Sequence, residues 1–110
     1  MSDTTADAAK RKAKRTAARR KAKRAAAKRA AMEWAARRRS VGDRDHWMCR
    51  ACREVAIVFG DPHHIVYRSA GGSDDLSNLV WLCRTCHDAE HAHDIRITGT
   101  ADDLRIERRR

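Results

Sequence analysis

The sequence predicts a small α+β domain preceded by a long basic helix. Three observations predict it. Residues 10–39 hold 15 Lys and Arg against one acid, Glu33, and residues 1–39 contain neither Gly nor Pro. Residues 47–107 carry short apolar segments separated by Gly-, Asp- and Ser-containing turns. The four cysteines fall into two Cys-x-x-Cys pairs, Cys49/Cys52 and Cys83/Cys86.

Each element follows from local chemistry. Ala, Lys and Arg are good helix formers. Thr4-x-x-Asp7 offers a capping box, so one helix is expected from about residue 5 to about residue 38. It has no apolar seam, because Ala is nearly its only nonpolar residue, and a coiled coil is not expected. Like charges recur four apart, as in Lys10/Lys14, Arg11/Arg15, Arg15/Arg19 and Arg20/Arg24. Each such pair costs a few tenths of a kcal/mol, so the helix should firm up when an anion neutralises it. Residues 1–39 are thus read as a helical arm, 40–46, with Gly42, as a linker, and 47–110 as the domain. Trp47–Arg53 reads as a tight knuckle and Glu54–Phe59, apolar and β-branched, as a strand. Gly60-Asp61-Pro62 reads as a turn, His63–Tyr67 as a strand and Ser69–Asp75 as a loop. Leu79–Leu82 reads as a second strand and Arg84–His93 as a short helix. Ile95/Ile97 and Leu104/Ile106 alternate on either side of Gly99–Asp103, which predicts a terminal hairpin.

At 110 residues the chain has room for one small domain and an extension. No apolar run approaches a membrane span and no signal-peptide pattern opens it, so a soluble protein of the cytoplasm is expected. Paired Cys-x-x-Cys without a secretion signal reads as a metal site. Four thiolates, Cys49, Cys52, Cys83 and Cys86, suit a structural Zn²⁺ held tetrahedrally. Dithiol redox chemistry is the rival reading, but it needs only one pair. The apolar inventory of residues 47–107 is thin, so the metal should supply much of the folding free energy, on the order of 10 kcal/mol.

The histidines carry a second signal. His87 and His91 lie four apart on the expected helix and share a face. Cys86 precedes His87 and points about 100° away around the helix. Neighbours can therefore serve two sites, one lined by sulfur and one by nitrogen. On a regular strand His63 and His64 point to opposite faces, so one can bind a metal while the other addresses a substrate.

The pattern His63-His64-Ile65, Gly71-Gly72, Asp74-Asp75-Leu76-Ser77-Asn78-Leu79 and Leu82-Cys83-x-x-Cys86-His87 resembles the HNH endonucleases of the four-cysteine, zinc-containing type. The resemblance covers about residues 47–93. It implies a ββα-metal, treble-clef-like domain in which two strands and a helix clasp one divalent cation. His64 matches the first H, the general base. His63 sits where the family has a metal ligand, Asp or His. Asn78 is the N, which orients the loop and the base, and His87 is the final H, a metal ligand. His91 fits a further helix ligand seen in colicin-type nucleases. Many relatives have Pro two residues after the Ile, where this chain has Tyr67. The resemblance also implies DNA as substrate, products with a 5′ phosphate and a 3′ hydroxyl, and Mg²⁺, Mn²⁺, Ni²⁺ or Zn²⁺ as the catalytic ion. Small stand-alone members are common in bacteriophages, often beside packaging machinery. That implies a bacterial host cytoplasm and packaging proteins as candidate partners.

Charge distribution completes the reading. Residues 40–110 hold 10 Arg and 12 acids, so the domain is nearly neutral while the chain carries +10. A cationic arm beside a neutral domain suits a polyanion. Lys10, Arg11, Lys12, Lys14, Arg15, Arg19, Arg20, Lys21, Lys23, Arg24, Lys28 and Arg29 are the expected phosphate contacts, with little base selection. The competing reading is a non-catalytic zinc-ribbon protein that binds nucleic acid or assists DNA packaging. That reading gives His63, His64 and His87 no task.

Overall fold

The computed structural model describes residues 4–109. Helix α1 runs Thr5–Arg44. Its start is capped as expected, with the Asp7 N–H donating to Thr4 Oγ1 at 3.1 Å. The helix through Trp34 forms one compact unit, and the chain from Ala35 on forms another. In the first unit residues 4–33 are exposed all round, as the missing apolar seam requires.

In the second unit the expected linker is replaced by structure. Residues 40–44 continue α1, with Val41 and Gly42 buried. The helix then closes in a tight reversal, where Trp47 N–H donates to Gly42 O at 2.8 Å. His46 and Trp47 take left-handed φ values of 57° and 56°. The reason for Gly42 is close approach rather than flexibility: a Cβ there would lie 2.3 Å from the Trp47 ring. The Trp47 ring packs edge-on against Trp81, with centroids 5.1 Å apart.

Asp45, also read as linker, ties the reversal to the sheet. Its carboxylate accepts from Arg44 Nε at 2.9 Å, Arg50 Nη1 at 2.9 Å and the Trp81 amide at 2.9 Å. Burial raises this carboxyl, but Arg44, the Trp81 N–H and Arg50 outweigh it and hold it below the ordinary aspartate value. Arg38, on the last turns of α1, donates to Gly60 O at 2.8 Å and lies 4.8 Å above the Trp81 ring.

The knuckle at Cys49–Arg53 forms as expected, closed by Cys49 N–H to Glu54 O and Arg53 N–H to Cys49 O, each 2.8 Å. The strand expected at Glu54–Phe59 does not form. Only Val55 makes a bridge, to Met48, and Ile57, Val58 and Phe59 are exposed. β-branched composition invites a strand, but the ladder stops at this bridge, closed by Cys49 N–H to Glu54 O and Ala56 N–H to Trp47 O, each 2.8 Å. The turn expected at Gly60-Asp61-Pro62 is instead the start of strand β1, Gly60–His64. Pro62 is tolerated because β1 has a partner on one side only.

Strand β1 pairs antiparallel with β2, Leu79–Cys83, His63 standing opposite Val80 and His64 opposite Leu79. Helix α2, Arg84–His91, follows β2 without a loop. The terminal hairpin forms as expected from β3, Ile95–Gly99, and β4, Leu104–Arg108. Cys49, Ile65, Val80, Leu82, Cys86, Ile95, Ile97 and Ala101 make one buried cluster. The hairpin therefore backs α2, and α2 faces β1. This is a mixed α+β fold with a strand–strand–helix unit at its centre.

Candidate active site and metal centres

The first centre is sulfur. The Sγ atoms of Cys49, Cys52, Cys83 and Cys86 lie within 4.8 Å of one another. Cys52 and Cys83 are 3.8 Å apart. Four thiolates around an ion at metal–sulfur distances of about 2.3 Å are separated by about 3.8 Å, so the set fits a tetrahedral site. All four are free thiols. Each knuckle also turns an amide toward sulfur, Cys52 N–H to Cys49 Sγ at 3.5 Å and Cys86 N–H to Cys83 Sγ at 3.4 Å. Burial raises the Cys49 thiol, yet the N–H groups of Cys52, Cys83 and Ala51 outweigh it and bring it down to about 7.

The second centre is nitrogen. His63 comes from β1, and His87 and His91 from one face of α2. One ring nitrogen from each lies within 4.8 Å of the others. The His87 and His91 ring centroids are 4.7 Å apart, and His63 lies 5.5 Å from His87. An ion bound at about 2.1 Å to each nitrogen needs donors about 3–4 Å apart, within reach of small side-chain rotations. Burial, only partly offset by Glu90, lowers His63 to about 4, with His87, His91 and His64 adding to the fall. His63 is therefore neutral at physiological pH, the form that ligates metals. Its Nε2 is buried with no hydrogen-bond partner among the described residues, as is Glu90 Oε2. One imidazole nitrogen from each of three histidines, converging within 4.8 Å, fits a cation site.

His64 stands apart from this cluster. Its Nε2 lies 2.7 Å from Asp74 Oδ1. Arg68 Nε approaches the same ring nitrogen as a donor, at 3.2 Å, so His64, Asp74 and Arg68 form one hydrogen-bonded cluster. Arg68 Nε also donates to Asp74 Oδ1, at 3.1 Å. The hydrogen bond from His64, followed by Arg68, holds the Asp74 carboxyl below its ordinary value. The Asn78 amide grips backbone, accepting from Val66 N–H at 2.8 Å and donating to Val66 O at 3.0 Å and Ser73 O at 2.8 Å. It clamps the two ends of the loop that carries Asp74. Gly72 belongs to the same clamp, since a Cβ there would lie 1.8 Å from Val66 O.

The HNH endonuclease family model matches residues 49–93, which hold both centres. A stretch of 59 residues is 32% identical to Anaredoxin of Nostoc sp. (strain PCC 7120 / SAG 25.82 / UTEX 2576), covering 54% of this chain and 76% of that protein. The chain belongs to the HNH endonuclease family. No solved structure gives a significant match. Membership in the HNH family directs attention to nuclease-related chemistry at the β1–β2–α2 unit. Among the described residues no helix is long and apolar enough to cross a membrane.

Four residues of this HNH site carry no functional signal in the sequence that is strong enough to single them out. Asp74 and Arg68 flank His64, and Glu90 and Tyr67 flank His63. Tyr67, which stands out in the sequence only as a departure at a strand end, donates its hydroxyl to Glu90 Oε1. Burial, then the Glu90 hydrogen bond and charge, push the Tyr67 phenol up to about 12, so it stays a donor. The one sequence signal for Glu90 is its spacing three residues after His87, which puts it near the same helix face.

Proposed function

We propose that this protein is a divalent-metal-dependent DNA endonuclease that hydrolyses phosphodiester bonds. The observation that carries the reading is the division of labour on one strand: His63 joins His87 and His91, while the next residue, His64, is paired with Asp74. Hydrolysis requires a water to lose a proton as it attacks, and stabilisation of charge on the phosphorane and the leaving oxygen. The His64 imidazole takes the proton. Asp74 orients the ring and stabilises the positive charge it gains, the logic of a carboxylate–histidine pair. Asn78 and Gly72 hold the loop that fixes Asp74. His63, His87 and His91 would hold a divalent cation, which would supply charge stabilisation during the transfer. Cys49, Cys52, Cys83 and Cys86 would hold a structural zinc, which would fix α2 and with it His87 and His91. The basic helix from Lys10 to Arg29 supplies the phosphate contacts that the nearly neutral domain lacks.

The test is nicking of supercoiled plasmid by the full-length protein with Mg²⁺, Mn²⁺, Ni²⁺ or Zn²⁺. Conversion to open circles with at least one ion, stopped by chelator, is expected. Retardation of the plasmid with no nicking under any ion would leave a binding protein and overturn the endonuclease reading.

A further inference from the structure

Two buried polar atoms face each other in the histidine centre. His63 Nε2 and Glu90 Oε2 lie 3.8 Å apart, with the side chains 3% and 8% exposed. Neither atom has a hydrogen-bond partner among the described residues. A buried carboxylate oxygen without a donor is costly, so a partner for it is expected. The other oxygen, Oε1, is fixed by the Tyr67 hydroxyl. Tyr67 and His63 also pack edge to face, with centroids 6.0 Å apart. The residues whose donor atoms converge as a candidate ion site are His63, His87 and His91, and Glu90 is outside that set.

We infer that Glu90, locked by Tyr67, is a positioning residue that accepts the Nε2–H of His63 and so aims the other ring nitrogen of His63 at the cation. At 3.8 Å the pair is too far apart for a hydrogen bond. A movement of about 1 Å brings it within range, and both orphaned atoms are then satisfied by one another. Metal-bound histidines almost always give their second nitrogen to such an acceptor, which fixes the tautomer and strengthens the ligand. The residue that anchors the carboxylate is Tyr67.

The inference rests on the histidine centre binding a cation and not on cleavage, so its test reads affinity. Ni²⁺ binding to the histidine centre is measured by calorimetry on full-length protein whose cysteine site is already filled with zinc. The variants are Glu90→Gln, Tyr67→Phe and the double variant, with thermal midpoints recorded before Ni²⁺ is added. Glu90→Gln should weaken Ni²⁺ by about 10–100-fold, the usual loss for an outer carboxylate, without lowering the midpoint. Tyr67→Phe should weaken it less. The double variant should be no weaker than Glu90→Gln, because Tyr67 acts through Glu90. Unchanged affinity in Glu90→Gln, or additive losses in the double variant, would overturn the inference. If Glu90→Gln does not fold, Tyr67→Phe decides alone: affinity equal to wild type overturns it. A wild type that binds Ni²⁺ but never cuts DNA would defeat the endonuclease reading and leave this one standing.

Discussion

At the scale of single residues, two aspartates do different work with the same chemistry. Asp74 sits at the surface, 47% exposed, and holds His64 Nε2 at 2.7 Å. Asp74→Asn keeps the shape but removes the charge that orients the His64 ring and stabilises its protonated form. Cleavage should fall by about 10²-fold or more, with zinc content and DNA affinity unchanged. A variant cutting at the wild-type rate would remove Asp74 from the proposed mechanism. Asp45 is buried at 2% exposure and serves the fold, bridging Arg44, Arg50 and the Trp81 amide. Asp45→Ala leaves these donors unsatisfied and should cost about 3–5 kcal/mol. Its lowered carboxyl sets the sign with pH. The contribution is full above the unfolded value of about 3.9 and is lost as pH falls through the lower folded value. Thermal melts from pH 6 to pH 3 should therefore be less acid-sensitive in Asp45→Asn than in wild type. Equal slopes would remove Asp45 from the acid response.

At the scale of elements, Gly42 gives a test whose sign separates two readings. In an open helix Gly→Ala stabilises by about 1 kcal/mol. Here the added Cβ would meet the Trp47 ring at 2.3 Å, so Gly42→Ala should destabilise by about 1–3 kcal/mol. A raised thermal midpoint would show that the reversal is not packed as described. The same turn marks what sequence can and cannot reveal. The strand Leu79–Leu82, the helix beginning at Arg84 and the terminal hairpin are legible because their apolar periodicity is local. Residues 40–46 read as a linker because a glycine and two aspartates look like loop chemistry. What makes them helix end and turn is packing that joins Trp47 and Arg50 to the distant Trp81, which no local window of sequence contains. Glu54–Phe59 errs the other way, since strand propensity does not supply a partner. For the site, His63, His64, His87 and His91 are legible from adjacency and helical spacing. Asp74 and Glu90 are not, because each becomes significant only when a loop or helix face is brought against a histidine.

At the scale of the whole molecule, stability and affinity are carried by separate parts of the chain. The buried cluster includes two of the four thiols, Cys49 and Cys86. Metal at those thiols is expected to stabilise the fold by on the order of 10 kcal/mol. Cys83→Ser or strong chelation should therefore unfold residues 35–110, read as loss of a cooperative melting transition. A variant that melts like wild type without bound zinc would show the metal to be dispensable. In the proposed function affinity is the task of the arm, whose basic residues are all exposed through Lys28 and Arg29. Removal of residues 1–34 should leave that fold intact but flatten the dependence of DNA affinity on salt, by about 0.9 in the log–log slope for each phosphate that the arm neutralises. An unchanged slope would give the arm another partner. The central claim is hydrolysis by His64, and one measurement tests it most directly. Single-turnover nicking of supercoiled plasmid is compared for full-length wild type and His64→Ala, at equal DNA occupancy and equal bound metal. Wild type should nick, and His64→Ala should be slower by about 10²–10⁴-fold, the range of general base catalysis. Equal rates in the two proteins would contradict the account.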